Sequence, residues 1–329
     1  MPCFAALRHL LPLISLFGGN VLFRPAVEAD LDRLLGVVVD EPVSWAHPER
    51  IRAELKLGNY RPEWMWIAED DGVILARVVF WGMPADAKPY SIDCLSVHPS
   101  VTDRVGLAAE LMSAAIERLG TKPEYHLFLP NAWRERPDVA AAVDWRAEAM
   151  ARVGIAHRLE RFRYEWTPAV PVPEPSRRLV FRPEPDDEVM VDAFRRVAQG
   201  TLDHSTLKEL ATMDPVAQAR GDVEMYRDNF RGERDWWRLA FTPEGELVGL
   251  ALPSANNGGP IVGYIGVVPE HRGKGYVGEL LDEITRFHAA RGAEVVRADT
   301  DFANVPMAKA FERAGYVNTS VRLVLSDES

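Results

Sequence analysis

Four landmarks recur in this sequence in the same order, and they restrict the chain to two copies of one domain. Val21-Leu22-Phe23-Arg24-Pro25 opens the first copy and Leu179-Val180-Phe181-Arg182-Pro183 the second. Each opening reads as a short strand and is followed by an amphipathic helix pattern, at Ala29–Val38 and at Val189–Ala198. A hairpin follows in each, Trp64–Phe80 turning at Asp71-Gly72 and Trp236–Leu252 turning at Glu244-Gly245. Val97-His98-Pro99 then parallels Val267-Val268-Pro269, and Met150–Ile155 parallels Phe311–Tyr316. An offset held at roughly 160–170 residues is the mark of a duplication.

The expected division is an N-terminal extension at 1–20, a first domain at 21–167, a linker at 168–178 and a second domain at 179–329. Prolines at 168, 171, 173 and 175 keep that linker out of helix and central strand. The total of 329 residues gives each copy enough chain to bury its own core. The extension is apolar but too short to span a bilayer, and Arg8 and His9 come late for the basic start of a signal peptide. It is expected to be a loose leader or the trace of an upstream start, with a signal sequence as the alternative.

The chemistry concentrates in the second copy. Ile261–Val268 is an apolar run bounded by glycine and proline, which predicts a buried strand. It turns through Pro269–Gly275 into a helix with apolar positions at Val277, Leu280, Leu281, Ile284 and Phe287, and Glu279, Asp282, Glu283 and Arg286 on the wet side. A strand, a basic glycine-rich turn and a helix N-terminus make an anion site. The first-turn amides lack partners, the helix dipole favours negative charge, and glycines let a phosphate reach the backbone.

Two readings of that site compete. The spacing Gly273-x-Gly275-x-x-Gly278, with Asp299 about 20 residues on, matches a dinucleotide fingerprint and a nicotinamide-dependent oxidoreductase. Against it, the chain beyond Asp299 has room for one helix and one strand, and a doubly wound sheet needs more. Pro269-Glu270-His271-Arg272 also separates the strand from the first glycine and adds cations that a dinucleotide turn does without.

The stretch resembles instead the signature of the GNAT superfamily, the acyl-CoA-dependent N-acetyltransferases. That pattern is a strand ending in Val-x-Pro, then Arg/Gln-x-x-Gly-x-Gly/Ala, then a helix; Val267-Val268-Pro269, Arg272, Gly273, Lys274 and Gly275 fit it. Val277 stands where the family prefers glycine or alanine, and Gly278 comes one place late. Downstream, Asn304, Ala308 and Phe311-Glu312-Arg313-Ala314-Gly315-Tyr316 resemble the family's second motif. The resemblance implies an α/β chain of two tandem domains, each a mixed, mostly antiparallel sheet splayed near its middle and flanked by helices.

It further implies acetyl-CoA as co-substrate and a small-molecule or peptide amine as acceptor. The diphosphate falls to the amides of Arg272, Gly273, Lys274, Gly275, Tyr276, Val277 and Gly278, with the Arg272 and Lys274 side chains as cationic supplements. Backbone groups at Val267 and Val268 take the pantetheine arm and the thioester carbonyl. Asn304 contacts the cofactor arm, although Asn-Val-Pro also fits a helix cap. Phe311 occupies the position where the family often has a tyrosine to protonate the leaving thiolate, and phenylalanine cannot donate. An acetyl-CoA-binding sensor without activity therefore stands as the alternative to an acetyltransferase.

The catalytic base stays open. Ile261–Val268 contains no carboxylate, so the candidates are Asp203 and His204 after the first helix of the second copy, Glu270, which with His271 fits better beside the phosphates, and Asp299 and Asp301 after the next strand. Asp203 and His204 also fit a helix cap, and the two aspartates a solvated loop. The first copy has Ser100–Ala108 where the basic turn should be, and no counterpart of Asn304, so it is expected to be degenerate.

Composition narrows the setting. A net charge of −11 opposes a nucleic-acid partner and mildly favours a cationic substrate. Cys3 and Cys94 supply neither a disulfide framework nor a metal cluster, which suggests a reducing, cytoplasmic setting with no metal and no membrane.

Overall fold

The structure, a computed structural model, describes residues 21–37, 42–43 and 47–327; the expected extension at 1–20 and the end of the helix expected at Ala29–Val38 lie outside the described residues. By compactness the chain forms two units. One contains the described residues through Leu159 together with Arg322 onward, and the other is Glu160–Val321.

The first unit runs β1 (Leu22–Pro25), α1 (Leu31–Leu35), α2 (Pro48–Leu57), β2 (Met65–Asp70), β3 (Val73–Trp81), β4 (Ser91–Val97), α3 (Arg104–Leu119), β5 (Glu124–Leu129) and α4 (Pro137–Arg152). β1 to β4 pair antiparallel in order, and β4 pairs parallel with β5 at Ser91 and Ile92. The hairpin turns where the sequence places it. Asp71 and Gly72 both take positive φ, 44° and 78°, as a tight two-residue turn with the twist of its strands requires. Cys94 is buried in this unit's core with Ile51, Tyr60 and Ile67.

The second unit begins with Glu160–Trp166 of β6 (His157–Trp166), followed by β7 (Val180–Pro183), α5 (Asp187–Ala198), α6 (His204–Leu210), α7 (Pro215–Asn229), β8 (Arg238–Phe241), β9 (Leu247–Asn256) and β10 (Gly259–Val267). It continues through α8 (Tyr276–Ala289), β11 (Val296–Asp301), α9 (Val305–Arg313) and β12 (Val317–Ser326), whose last residues count with the first unit. β7, β8, β9 and β10 pair antiparallel, β10 and β11 are parallel, and β11 pairs antiparallel with β6.

These units cut the chain differently from the expected 21–167, 168–178 and 179–329. The difference has a local cause, because β6 is paired with β11 along Arg161–Trp166. Three cross-strand ion pairs reinforce that register: Arg161–Asp301 at 2.7 Å, Arg163–Asp299 at 3.2 Å and Arg297–Glu165 at 3.0 Å.

Two apolar layers cover the second sheet. Val262, Ile265 and Val267 of β10 pack with Leu280 and Ile284 of α8. Tyr264 points the other way, into a cluster with Phe194 of α5 and Val223 of α7. Strict alternation would put Tyr264 beside Val262; a one-residue bulge at Gly263 resets it. Among the described residues no helix is long and apolar enough to cross a membrane.

Candidate functional site

The glycine turn has the conformation its sequence demands. Gly273 and Gly275 sit at φ 76° and 81°, where a side chain is strained. Gly275 is the N-cap of α8 and offers no side chain to the helix amides, so the first turn is uncapped from within. Lys274 Nζ lies 3.1 Å from His271 Nδ1. A further cation, overlooked in the sequence, reaches the turn: Arg178 donates to the Lys274 carbonyl at 3.2 Å, pairs with Glu279 and lies 4.6 Å from the Tyr276 ring. Its signal, a basic pair at the end of a proline-rich stretch, is too common to single it out.

Arg272 is placed otherwise than expected. Its guanidinium donates to three carbonyls, Val267 at 3.0 Å, Gly200 at 3.1 Å and Val197 at 2.8 Å. It thereby ties the end of α5 to the end of β10. Those bonds direct the side chain away from a phosphate supplement, and its amide is also taken, donating to the Pro269 carbonyl at 3.2 Å.

Beside the turn, β10 and β11 part. They pair only at Ile261 and Arg297. The Val268 amide donates to Val248 on the β9 side. By strand alternation, Ile265 and Val267 therefore turn their N–H and C=O groups to the other edge, where Arg272 takes the Val267 carbonyl and no strand pairs with the Ile265 groups or the Val267 N–H. All nine residues of β10 are half-exposed although the strand is internal to the sheet, whereas every residue of β4 in the first unit is buried. An internal strand with one open edge is a place for an extended, amide-bearing ligand.

The first unit has the same break, filled. Its β4 carries a bulge at Asp93, four residues before Val97, as Gly263 stands four before Val267. Leu95 then matches Ile265. Arg146 of α4, 1 % exposed, donates from Nε to the Leu95 carbonyl at 3.1 Å and from Nη1 to Ala142 at 2.8 Å, with its guanidinium 4.2 Å from the Trp145 ring. A side chain occupies the edge that is open in the second unit.

The candidate bases separate into roles, and Glu270 is paired with Arg196. Asp203 caps α6, accepting from the Thr206 amide at 2.9 Å and hydroxyl at 3.0 Å. The His204 amide donates to Asp301 at 2.8 Å, and Asp301 is 2 % exposed and paired with Arg161. Asp299 is paired with Arg163. Asp203, His204 and Asp301 are thus brought together at one end of the sheet, with Asp299 one strand pair removed.

A carboxylate cluster the sequence did not reveal lies next to them. Gln218, Asp222 and Tyr226 succeed each other at four-residue intervals along one face of α7. Gln218 Nε2 bridges Asp222 at 2.8 Å and Glu209 of α6 at 3.0 Å. The Tyr226 hydroxyl donates to the Gly263 carbonyl at 2.7 Å, on the β10 bulge. Burial, with the charges of Glu209 and Asp203 added, pushes the Asp222 carboxyl up to about 7 against the lowering pull of Gln218. Polar residues recurring every four positions beside the buried Ala219 and Val223 were the available signal.

The second motif sits in the core. Asn304 caps α9 by accepting from the Met307 amide at 3.3 Å. Phe311, expected beside the cofactor, is 1 % exposed and stacks on Tyr164 at 5.0 Å, with Tyr316 at 5.3 Å. Tyr164 directs its hydroxyl to Glu312 at 3.4 Å and Tyr316 to Thr285 at 2.8 Å.

Residues 205–316 match the family model described as the acetyltransferase (GNAT) family. Among solved structures the chain is similar to a GCN5-related N-acetyltransferase from Sphaerobacter thermophilus, with TM-score 0.59 and 17% identity over 92% of this chain and 94% of that one. It is similar to a tandem GNAT protein from the clavulanic acid biosynthesis pathway, with TM-score 0.50 and 16% identity over 94% and 99% of the two chains. A glucosamine N-acetyltransferase region of a fungal multi-domain β-N-acetylglucosaminidase gives TM-score 0.57 and 14% identity, covering 92% of this chain and 38% of that one. At these identities the likeness is one of fold. A comparison with curated proteins gives no match.

Proposed function

We propose, for a chain that belongs to the GNAT superfamily as a tandem member, that its second unit moves an acetyl group from acetyl-CoA to a primary amine of a small molecule or peptide. The observation that carries this reading is the edge of β10 left open at Ile265 and at the Val267 N–H, directly upstream of a turn with two positive-φ glycines. The edge suits a pantetheine arm with amides of its own, and the turn suits a diphosphate.

Each part of the chain has a task in that reading. The amides from Gly273 to Val277 take the diphosphate, those of Arg272 and Gly278 being bonded to the Pro269 and Gly275 carbonyls, with Lys274 and Arg178 as the nearby cations. The edge groups of Ile265 and the Val267 N–H align the arm, and an edge N–H faces the oxygen that becomes negative when the amine attacks the thioester carbonyl. Acetyl-CoA supplies the activated acyl group and a thiolate leaving group. A thiol pKa of about 8.5 makes that thiolate tolerable without a side-chain acid. The hydroxyls nearest Phe311 have other partners, so no acid is assigned.

That same feature supports the second reading, an acetyl-CoA-binding protein without turnover. A thermal-shift titration with acetyl-CoA, CoA, NAD and NADP, on wild type, Gly275→Glu and the exposed Lys274→Glu, tests the binding. A shift with the CoA species alone, weakened in both variants, is expected. A shift with a nicotinamide cofactor would overturn the reading. CoA release on an amine panel then separates transferase from sensor.

A further inference from the structure

We propose that Arg178 is a positioning residue of the anion site that acts by masking a charge. Carried on the last residues before β7, it neutralises Glu279 in the first turn of α8 and so lets a diphosphate occupy that helix N-terminus. This rests on the acetyl-transfer reading, which supplies the diphosphate.

Glu279 is a carboxylate in an unfavourable place for an anion site. α8 starts at Tyr276, so Glu279 is its fourth residue. Helical side chains lean toward the N-terminus, which carries this one back over the glycine turn. A carboxylate there suits an empty helix, because the dipole favours it. The same turn must also serve the ligand, and two anions side by side repel.

The guanidinium of Arg178 answers that charge. Its Nε donates to Glu279 Oε1 at 2.7 Å and its Nη2 to the same oxygen, while the Ser176 hydroxyl donates to Oε2. Nη1 donates to the Lys274 carbonyl at 3.2 Å, and Nη2 lies 3.9 Å from the point that a Cβ on Gly275 would occupy. One guanidinium thus spans from the carboxylate to the middle of the turn. The Glu279 charge therefore lies beside the amides that the ligand needs. The Glu279 side chain is 17 % exposed and that of Arg178 52 %, so the cation covers the anion on the solvent side.

The segment that carries Arg178 is itself held. The Ser176 hydroxyl oxygen accepts from the amides of Arg178 at 3.1 Å and Leu179 at 2.9 Å. Leu179 is buried in a cluster with Val248, Leu280 and Ile284. The first copy offers a contrast. Asn20 precedes Val21 as Arg178 precedes Leu179, and Leu107 is the fourth residue of α3 as Glu279 is of α8. The copy without the glycine turn has neither member of the pair.

Masking and direct contact with a phosphate differ in one consequence. A cation that only touches the phosphate costs the same to remove whatever stands at position 279. A mask matters only while Glu279 is charged, so the two substitutions must couple.

The test titrates acetyl-CoA, and separately inorganic diphosphate, into wild type, Arg178→Ala, Glu279→Gln, the double variant and Arg178→Lys. Arg178 is exposed, so its truncation leaves the core intact. Arg178→Ala should weaken both ligands by about ten-fold or more, the double variant should return to within about three-fold of wild type, and Glu279→Gln alone should bind at least as tightly as wild type. Arg178→Lys keeps the charge and should retain most of the affinity. An equal penalty for Arg178→Ala in both backgrounds, no penalty in either, or a loss of about ten-fold in Glu279→Gln alone would overturn the masking role. Diphosphate binding with this pattern, but no acetyl-CoA binding, would instead sink the acetyl-transfer reading and leave the mask standing. Binding of neither ligand to wild type would overturn both.

Discussion

Arg146 donates through Nε to the carbonyl of Leu95 at 3.1 Å, occupying the strand edge that in the second unit is left open at Ile265. The first unit lacks the glycine turn as well, so two independent features argue against a cofactor there. Calorimetric titration with acetyl-CoA should give one site per chain. Arg146→Ala should still give one, while losing roughly 2–4 kcal/mol of stability, because buried carbonyls lose their donor and a void replaces the guanidinium. A stoichiometry of two in wild type would show that the plug moves aside.

Gly249 on β9 faces Val267 across the ladder, and a Cβ there would lie 2.1 Å from the Gly266 carbonyl oxygen. The obstacle is backbone and cannot swing away. Gly249→Ala should cost roughly 1–3 kcal/mol through overpacking and should weaken acetyl-CoA binding by displacing β10. Urea unfolding measures the first effect and a binding isotherm the second. Gly245→Ala, where the added Cβ meets nothing within 4 Å, serves as the comparison for positive φ alone, at 95°.

The contrast between those parts explains what the sequence could and could not reveal. The turn Arg272–Gly278, the hairpins at Asp71-Gly72 and Glu244-Gly245, and the helix at Val305–Arg313 are local, set by glycine conformations and a 3.6-residue period. The partner of β6 is more than 130 residues away, at β11, and no period reports it. The Asp203–Glu209–Asp222 cluster likewise needs two helices and a loop to meet. Arg272 shows a third limit: the motif identifies the position, while the side chain's direction depends on carbonyls at Val197 and Gly200.

Those carbonyls make Arg272 a staple between the glycine turn and the loop that leads to Asp203. Arg272→Lys keeps the charge but not the planar fork that reaches three acceptors. Hydrogen exchange should rise at Val197–His204 in Arg272→Lys and Arg272→Ala, with the middle of α8 remaining protected. An unchanged exchange pattern would mean that the loop is held by the His204–Asp301 bond alone.

Asp222 should make the protein less stable as pH rises. Its carboxyl is raised in the folded state from 3.8 to about 7, by burial first and the Glu209 and Asp203 charges after it. Between those values the folded chain binds more protons than the unfolded one, so its contribution is fully present below pH 4 and is lost on approaching pH 7. The rise from 3.8 to about 7 sets a ceiling of about 4 kcal/mol, reduced because the group is only partly shielded from water. Asp222→Asn keeps the shape and cannot ionise. The variant should therefore match wild type in Tm near pH 4 and exceed it at pH 8. If the two proteins keep a constant difference in Tm from pH 4 to 8, Asp222 titrates as an ordinary carboxylate and its surroundings are wetter than the burial of Gln218 and Val223 indicates.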